Sequence, residues 1–178
     1  MVILLKIQNI KMNYFELFGL PIEFQVDTSK LRVSFMQMQL ESHPDKFAQS
    51  TVDDQEIALE RSALANQGYT LLNNKEKLIP YVLELKGYIV ADEKFALSPD
   101  FLMEMMDLNE SWMDAATPEQ KQIILDKVKS IQNELYEPIK QFLEGTPIDS
   151  LSQEDMLQIK EYYYKKKYLD RILADFRY

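Results

Sequence analysis

Cysteine is absent from this 178-residue chain. Disulfides, thiolate metal sites and cysteine nucleophiles are therefore excluded. A reducing cytoplasm suits a fold that uses no disulfide. Histidine occurs once, which also excludes a His-rich metal site, so neither metal nor cofactor is expected. Glycine is scarce and proline modest, which argues against long disorder. No stretch approaches the roughly 20 apolar residues of a membrane span. Val2-Ile3-Leu4-Leu5 is too short for a signal core, runs into Lys6 and lacks a small-residue cleavage site. Residues 1–11 read as a short extension, with Met12 as a second possible start. A phosphate-cradling Gly-rich loop is missing, so the chain is not expected to bind ATP itself. Paired carboxylates such as Glu56 and Glu60 have no nucleophile or base in pattern with them, so no enzyme is expected.

Net positive charge is lacking too. The formal charge is −9, which opposes nucleic acid and anionic membrane as partners. Residues 1–80 are near −2 and residues 81–178 near −7, so the acidity belongs to the second half. That half suits a basic partner surface or simple solubility. Period-two alternation is absent, so the fold is expected to be all-α.

What is present centres on His43-Pro44-Asp45. Asp27-Thr28-Ser29 starts a helix through Leu31, Phe35, Met38 and Leu40, with the first three at i, i+4 and i+7 as its core stripe. Gln37, Gln39 and Glu41 are expected in solvent. Asp53-Asp54 is expected to cap a second helix with Ile57, Leu64, Tyr69 and Leu72 inward and Asn73-Asn74 at its end. The tripeptide then lies in a loop of an antiparallel helical hairpin, where Pro44 stops the first helix and holds His43 and Asp45 outward. Ahead of it, Tyr14-Phe15-Glu16-Leu17-Phe18 is a short helix ended by Gly19 and Pro21. Gly68 costs its helix about 1 kcal/mol relative to alanine and marks a possible close approach.

Residues 77–87 read as a helix with Gly87 as C-cap, and Pro80 as either a first-turn residue or a kink. Residues 88–97 form a connector without clear period. Beyond it, Ser98-Pro99-Asp100 starts a helix whose Phe101, Leu102, Met105, Leu108 and Trp112 share one face. Leu102, Met106, Asn109 and Met113 form a second, offset stripe. A helix apolar on two stripes is either buried all round or has an exposed binding face. Thr117-Pro118-Glu119-Gln120 starts a helix with Ile123, Ile124, Val128, Ile131 and Leu135, and Pro138 sets a kink or a boundary near Tyr136. After the break at Gly145-Thr146-Pro147, Ser152-Gln153-Glu154-Asp155 caps a last helix with Ile159, Tyr163, Leu169, Ile172 and Phe176 inside. The aromatic and basic run from Tyr162 to Lys167 reads as a solvated face, since its acidic surroundings oppose phosphate. Three helices joined by short loops imply a bundle.

The pattern from Tyr14-Phe15-Glu16-Leu17-Phe18-Gly19-Leu20 through His43-Pro44-Asp45-Lys46-Phe47 to Asn66-Gln67-Gly68-Tyr69 resembles a J-domain, the module that stimulates ATP hydrolysis by DnaK-type chaperones. A J-domain followed at once by a small acidic three-helix bundle resembles the HscB-type co-chaperones of iron–sulfur cluster assembly. Tyr81-Val82-Leu83-Glu84-Leu85-Lys86-Gly87 resembles the signature that joins their two domains. The resemblance implies an extension at 1–11, a J-domain at 12–75, a connecting helix and linker at 76–97 and a scaffold-binding bundle at 98–178. It implies that His43, Pro44 and Asp45 engage a DnaK/HscA-type ATPase. Lys30, Arg32 and Lys46 are the basic residues left to steer that contact. Met36, Gln37, Glu41 and Ser42 stand where basic or aromatic residues are customary, which predicts a contact less sensitive to salt. It also implies that Leu102, Met103, Met106, Asp107, Glu110 and Asp114, with Tyr168 on the last helix, face an IscU-type scaffold protein. Met106 and Tyr168 depart from the customary residues but keep apolar character. A general J-domain adaptor for another client, or a helical interaction protein without catalysis, is the alternative.

Overall fold

The structure, a computed structural model, describes residues 12–176; the expected extension at 1–11 lies outside them. Every regular element among the described residues is helical, in agreement with the all-α expectation. The chain divides into two compact units, Met1–Val82 and Leu83–Tyr178.

The first unit holds α1 (Tyr14–Phe18), α2 (Thr28–Glu41), α3 (Pro44–Phe47), α4 (Val52–Leu72) and most of α5 (Lys75–Leu85). A five-residue helix has too few internal bonds to persist in water, so α1 is held from outside. Asn13 closes a capping box: its side chain accepts the Glu16 N–H at 3.0 Å, and Glu16 accepts the Asn13 N–H at 3.3 Å. Phe15 and Phe18 are buried, and the Tyr14 N–H donates to the Tyr81 hydroxyl oxygen at 2.7 Å. A Cβ at Gly68 would stand 2.7 Å from Tyr14 Cδ1 and 2.9 Å from Phe18 Cε2, so α1 lies on α4 only because residue 68 has no side chain. The close approach marked by this glycine is thus to α1.

Phe35 stacks on Tyr69 at 4.3 Å, and Gln39 bonds to Ser62 and Asn66. Partner numbers fall as α2 is followed forward, so α2 and α4 run antiparallel. Gln39 is therefore not the solvent residue that the sequence suggests; its amide ties the two helices. On α4 the interior is Ala58, Ala65, Gly68 and Leu72, whereas Leu64, expected inward, is exposed. Small residues let the hairpin helices pack closely, which turns Leu64 outward. The α4 cap is Thr51, two residues before the expected Asp53-Asp54; its Oγ1 accepts the Asp54 N–H at 3.2 Å. Pro80 lies in the second turn of α5 rather than in the first, and Gly87 takes the left-handed conformation (φ 78°) expected of a C-cap.

The second unit contains α6 (Pro99–Asp114), α7 (Pro118–Tyr136), α8 (Lys140–Glu144) and α9 (Gln153–Asp175). Ser98, Thr117 and Ser152 cap α6, α7 and α9 as the sequence indicates, two of them in capping boxes. Phe101, Met105 and Leu108 of α6, Ile124, Val128 and Ile131 of α7, and Leu169 and Ile172 of α9 with Phe176 form one core, with Trp112 stacked on Phe176 at 4.4 Å. α7 stops at Tyr136, and Pro138 opens a 3₁₀ turn, Glu137–Ile139. The α7-to-α9 connection is not a short loop. It holds α8 and a second 3₁₀ turn, Ile148–Ser150, and buries Ile139, Leu143 and Ile148. On α9 the buried tyrosine is Tyr162, while Tyr163, expected inside, is half-buried. Ile123 of α7 is exposed.

Candidate functional site

In the first unit, the tripeptide is not in a loop. His43 is the N-cap of α3, with Pro44 at its first position, where a missing N–H costs nothing and φ is already helical. The His43 Nδ1 accepts the Asp45 N–H at 3.2 Å, and Lys46 N–H donates to the His43 carbonyl at 3.0 Å. The Asp45 carboxylate lies 3.6 Å from the same Nδ1. The His43 side chain is 55% and the Asp45 side chain 90% exposed. The fold therefore presents an imidazole and a carboxylate to solvent in a fixed relation, on a turn that the proline pre-sets. Ser42 beneath them is buried.

Pro44 and Lys46 are exposed beside them; Lys30 and Arg32 are exposed but distant. At about 1.5 Å per residue, Lys30 lies roughly 17 Å along α2 from the helix end that carries the tripeptide. Lys30 is also 3.5 Å from Asp27, its helix's cap. The structure thus gathers His43, Pro44, Asp45 and Lys46 and leaves the other two cations apart. Nearer the tripeptide, α2 exposes Val33, Met36 and Leu40, spaced i, i+3 and i+7 on one stripe. Leu40 does not join the core.

In the second unit, α6 carries two opposite faces. At about 100° per residue, the buried Phe101, Met105 and Leu108 fall on one side. Met103, Met106, Asp107, Glu110 and Asp114 fall on the other, and all five are exposed. Met103 and Met106 are 63% and 59% exposed. Leu102 lies between the two faces, half-buried. Tyr168 of α9 is half-buried, meets Phe101 edge-on at 6.1 Å, and has the Arg171 guanidinium 4.7 Å over its ring. It therefore borders the start of α6. The arrangement is an adaptable apolar strip lined by carboxylates.

Sequence reasoning missed the segment before α6. Glu93 forms an ion pair with Lys160 and accepts from the Tyr164 hydroxyl at 3.4 Å. Phe95 stacks on Tyr164 at 4.5 Å with planes 3° apart, and Lys160 lies over the Phe95 ring. The Lys160 hydrogen bond, above all, holds the Glu93 carboxyl below its ordinary value, and burial followed by the Glu93 charge raises the Tyr164 phenol. The Tyr162 to Lys167 run is thus no plain solvated face. The one signal was Lys160 and Tyr164 at i, i+4 beneath an otherwise aperiodic connector. Among the described residues no cluster of three or more His, Asp or Glu is placed to hold a metal, and no helix is long and apolar enough to cross a membrane.

A helical hairpin with an exposed His-Pro-Asp turn, followed by an acidic three-helix bundle, is the build of a two-unit J-domain protein. Comparison with known proteins gives the family. The family model for the HSCB C-terminal oligomerisation domain matches residues 97–177. The chain is 39% identical over 126 residues to a co-chaperone protein HscB homolog of Vibrio cholerae serotype O1 (strain M66-2), covering 68% of this chain and 74% of the relative. It is 30% identical over 166 residues to the HscB homolog of Aliivibrio salmonicida, covering 90% and 92%. The crystal structure of human co-chaperone protein HscB superposes with a TM-score of 0.73 at 27% identity, over 94% of this chain and 81% of that one. The chain belongs to the HscB co-chaperone family.

Proposed function

We propose that the chain is a non-catalytic bivalent adaptor of the cytoplasm. Its first unit stimulates ATP hydrolysis by a DnaK/HscA-type chaperone through His43, Pro44 and Asp45. Its second unit delivers an IscU-type iron–sulfur scaffold protein through Leu102, Met103, Met106, Asp107, Glu110, Asp114 and Tyr168. The observation that carries this reading is the exposed face of α6. Two methionines stand in water on the side opposite the core, and surface of that kind is kept for a partner. Its carboxylates favour a basic partner. Each contact is expected to be weak. Joined in one chain, they raise the client's effective concentration at the chaperone. The test is chaperone ATPase turnover with chain and scaffold together against chain alone. Stimulation that the scaffold does not enhance would sink the delivery role.

A second reading is favoured by the description of the matched family domain, which names oligomerisation. On it, the α6 face meets a second copy of the chain. Sedimentation of the Met103→Ser/Met106→Ser variant beside the parent distinguishes the two. Loss of a parent oligomer supports self-association, and a parent that is monomeric at assay concentration removes it.

A further inference from the structure

The segment between α5 and α6 is fastened to α9 in a regular order. Val90 and Glu93 close a turn through the Glu93 N–H to the Val90 carbonyl at 3.3 Å, with Asp92 left-handed at φ 59°. Aspartate is among the few residues that tolerate this conformation. The turn aims Glu93 at Lys160, and the pair is withdrawn from water, at 21% and 13% side-chain exposure. Two residues on, Phe95 lies against Tyr164. Two further on, Leu97 packs on the bundle core, and Ser98 then caps α6 by accepting the Phe101 N–H at 3.4 Å. Phe101 in turn meets Tyr168. Lys160, Tyr164 and Tyr168 are spaced i, i+4 and i+8, so three successive turns of α9 hold Glu93, Phe95 and Phe101 in chain order.

Five Cα-to-Cα steps lead from Glu93 to Ser98, a reach of at most about 18 Å when extended. Anchoring Glu93 therefore limits where the cap of α6 can stand against α9. The cap sets the first turn, whose Phe101 meets Tyr168, and that turn carries Leu102 at the edge of the exposed face and Met103 within it. We propose that residues 93–97 are a strap that sets the start of α6 on α9, making Glu93, Phe95, Lys160 and Tyr164 positioning residues for the partner-binding face. This rests on the reading of that face given under Proposed function. None of the four needs to touch the partner. Removing one member of the ion pair leaves the other withdrawn from water without its charge partner, which loosens the strap.

The experiment titrates a purified IscU-type scaffold protein against the full-length chain well below its melting temperature. Glu93→Gln and Lys160→Met are each expected to weaken binding by about fivefold or more, the low end of coupling between linked sites. The chain should stay folded by circular dichroism. The exchanged pair, Glu93→Lys with Lys160→Glu, should recover most of the affinity, which a general loss of stability would not produce. In a Met103→Ser/Met106→Ser background, Glu93→Gln should cost much less than in the parent. If the methionine variant is weakened while Glu93→Gln binds like the parent, the strap is packing alone and the proposal fails. If the exchanged pair stays as weak as the single variants, positioning by this pair is likewise overturned. If the methionine variant itself binds normally, the face has been misassigned, and that failure belongs to the proposed function.

Discussion

Both units leave methionine standing in water on a long helix, but in different company. On α2, Met36 is flanked along its stripe by Val33 and Leu40, and the only acid in that helix is Glu41. On α6, Met103 and Met106 stand among Asp107, Glu110 and Asp114, with Asp100 and Glu104 on the same helix. The burial behind them differs as well. α2 buries Leu31 alone among its residues and half-buries Phe35 and Met38, whereas α6 buries Phe101, Met105 and Leu108. One helix is a thin wall of a hairpin and ends at a polar turn. The other is an anchored strut with a second apolar side. Apolar exposure by itself does not fix a binding mode. The polar groups around it decide whether the contact is steered by charge, and the anchoring behind it decides how far the face can adapt.

The sharpest division between the units is chemical. His43→Gln removes an imidazole that is 55% exposed and caps only one turn. Its expected effect is loss of chaperone ATPase stimulation, with stability changed by less than about 1 kcal/mol, the scale of a single cap. Scaffold binding by the second unit should be untouched. Full stimulation by the folded variant would leave the first unit without an assigned role.

Next in size is Met103→Ser/Met106→Ser. Truncating exposed residues typically shifts stability by about 0.5 kcal/mol or less, while truncating interface anchors costs about 2 kcal/mol or more of affinity. A denaturant melt and a binding titration on the same protein order the two effects. A large melt shift with unchanged affinity would mean that these residues act as core and would remove the physical support for the scaffold face.

Gly68→Ala probes the first unit from behind. A methyl at 2.7 Å from the Tyr14 ring forces α1 off α4, and overpacking of this kind typically costs about 1–3 kcal/mol. The chaperone contact at the other end of the hairpin should then weaken only through unfolding. Equilibrium melts with and without the substitution measure this, and an unchanged midpoint would mean that α1 moves aside freely.

Much of this was readable in the chain. Caps are local chemistry, so Ser98, Thr117 and Ser152 declared three helix starts, and Pro138 declared an end. The two faces of α6 followed from a 3.6-residue period. What stayed hidden depends on a partner element that no local window contains. Gln39 reads as solvent until Ser62 and Asn66 are brought opposite it. Leu64 reads as core until small residues on α4 set the helix phase. Tyr162 takes the interior place expected of Tyr163, because Tyr136 at the end of α7 meets it there, ring to ring at 6.0 Å. The strap was illegible because Glu93 and Phe95 have no period of their own and find their partners 67 and more residues away. His43 as a cap was missed because imidazole is an unusual acceptor at that position, where Ser, Thr, Asp and Asn prevail.

The smallest expected effect tests the electrostatic half of the comparison. Surface charges are screened over about 8 Å at physiological ionic strength, so a contact steered by them weakens as salt rises. The α6 face offers three carboxylates beside its methionines, each pair with a basic partner being worth about 0.2–1 kcal/mol at an exposed rim. Scaffold affinity should therefore fall several-fold from low to high salt. In the first unit Lys30 is already matched by Asp27 and lies far from the tripeptide. That leaves Lys46 beside the turn and Arg32 along the helix, on a surface otherwise supplied by Val33, Met36 and Leu40. Chaperone affinity should change by no more than about twofold over the same range, since at most one or two rim charges contribute. Two titrations at each salt concentration decide it. A steep fall for the chaperone contact would mean that Arg32 and Lys46 dominate after all, and an Arg32→Gln/Lys46→Gln variant would then flatten the slope.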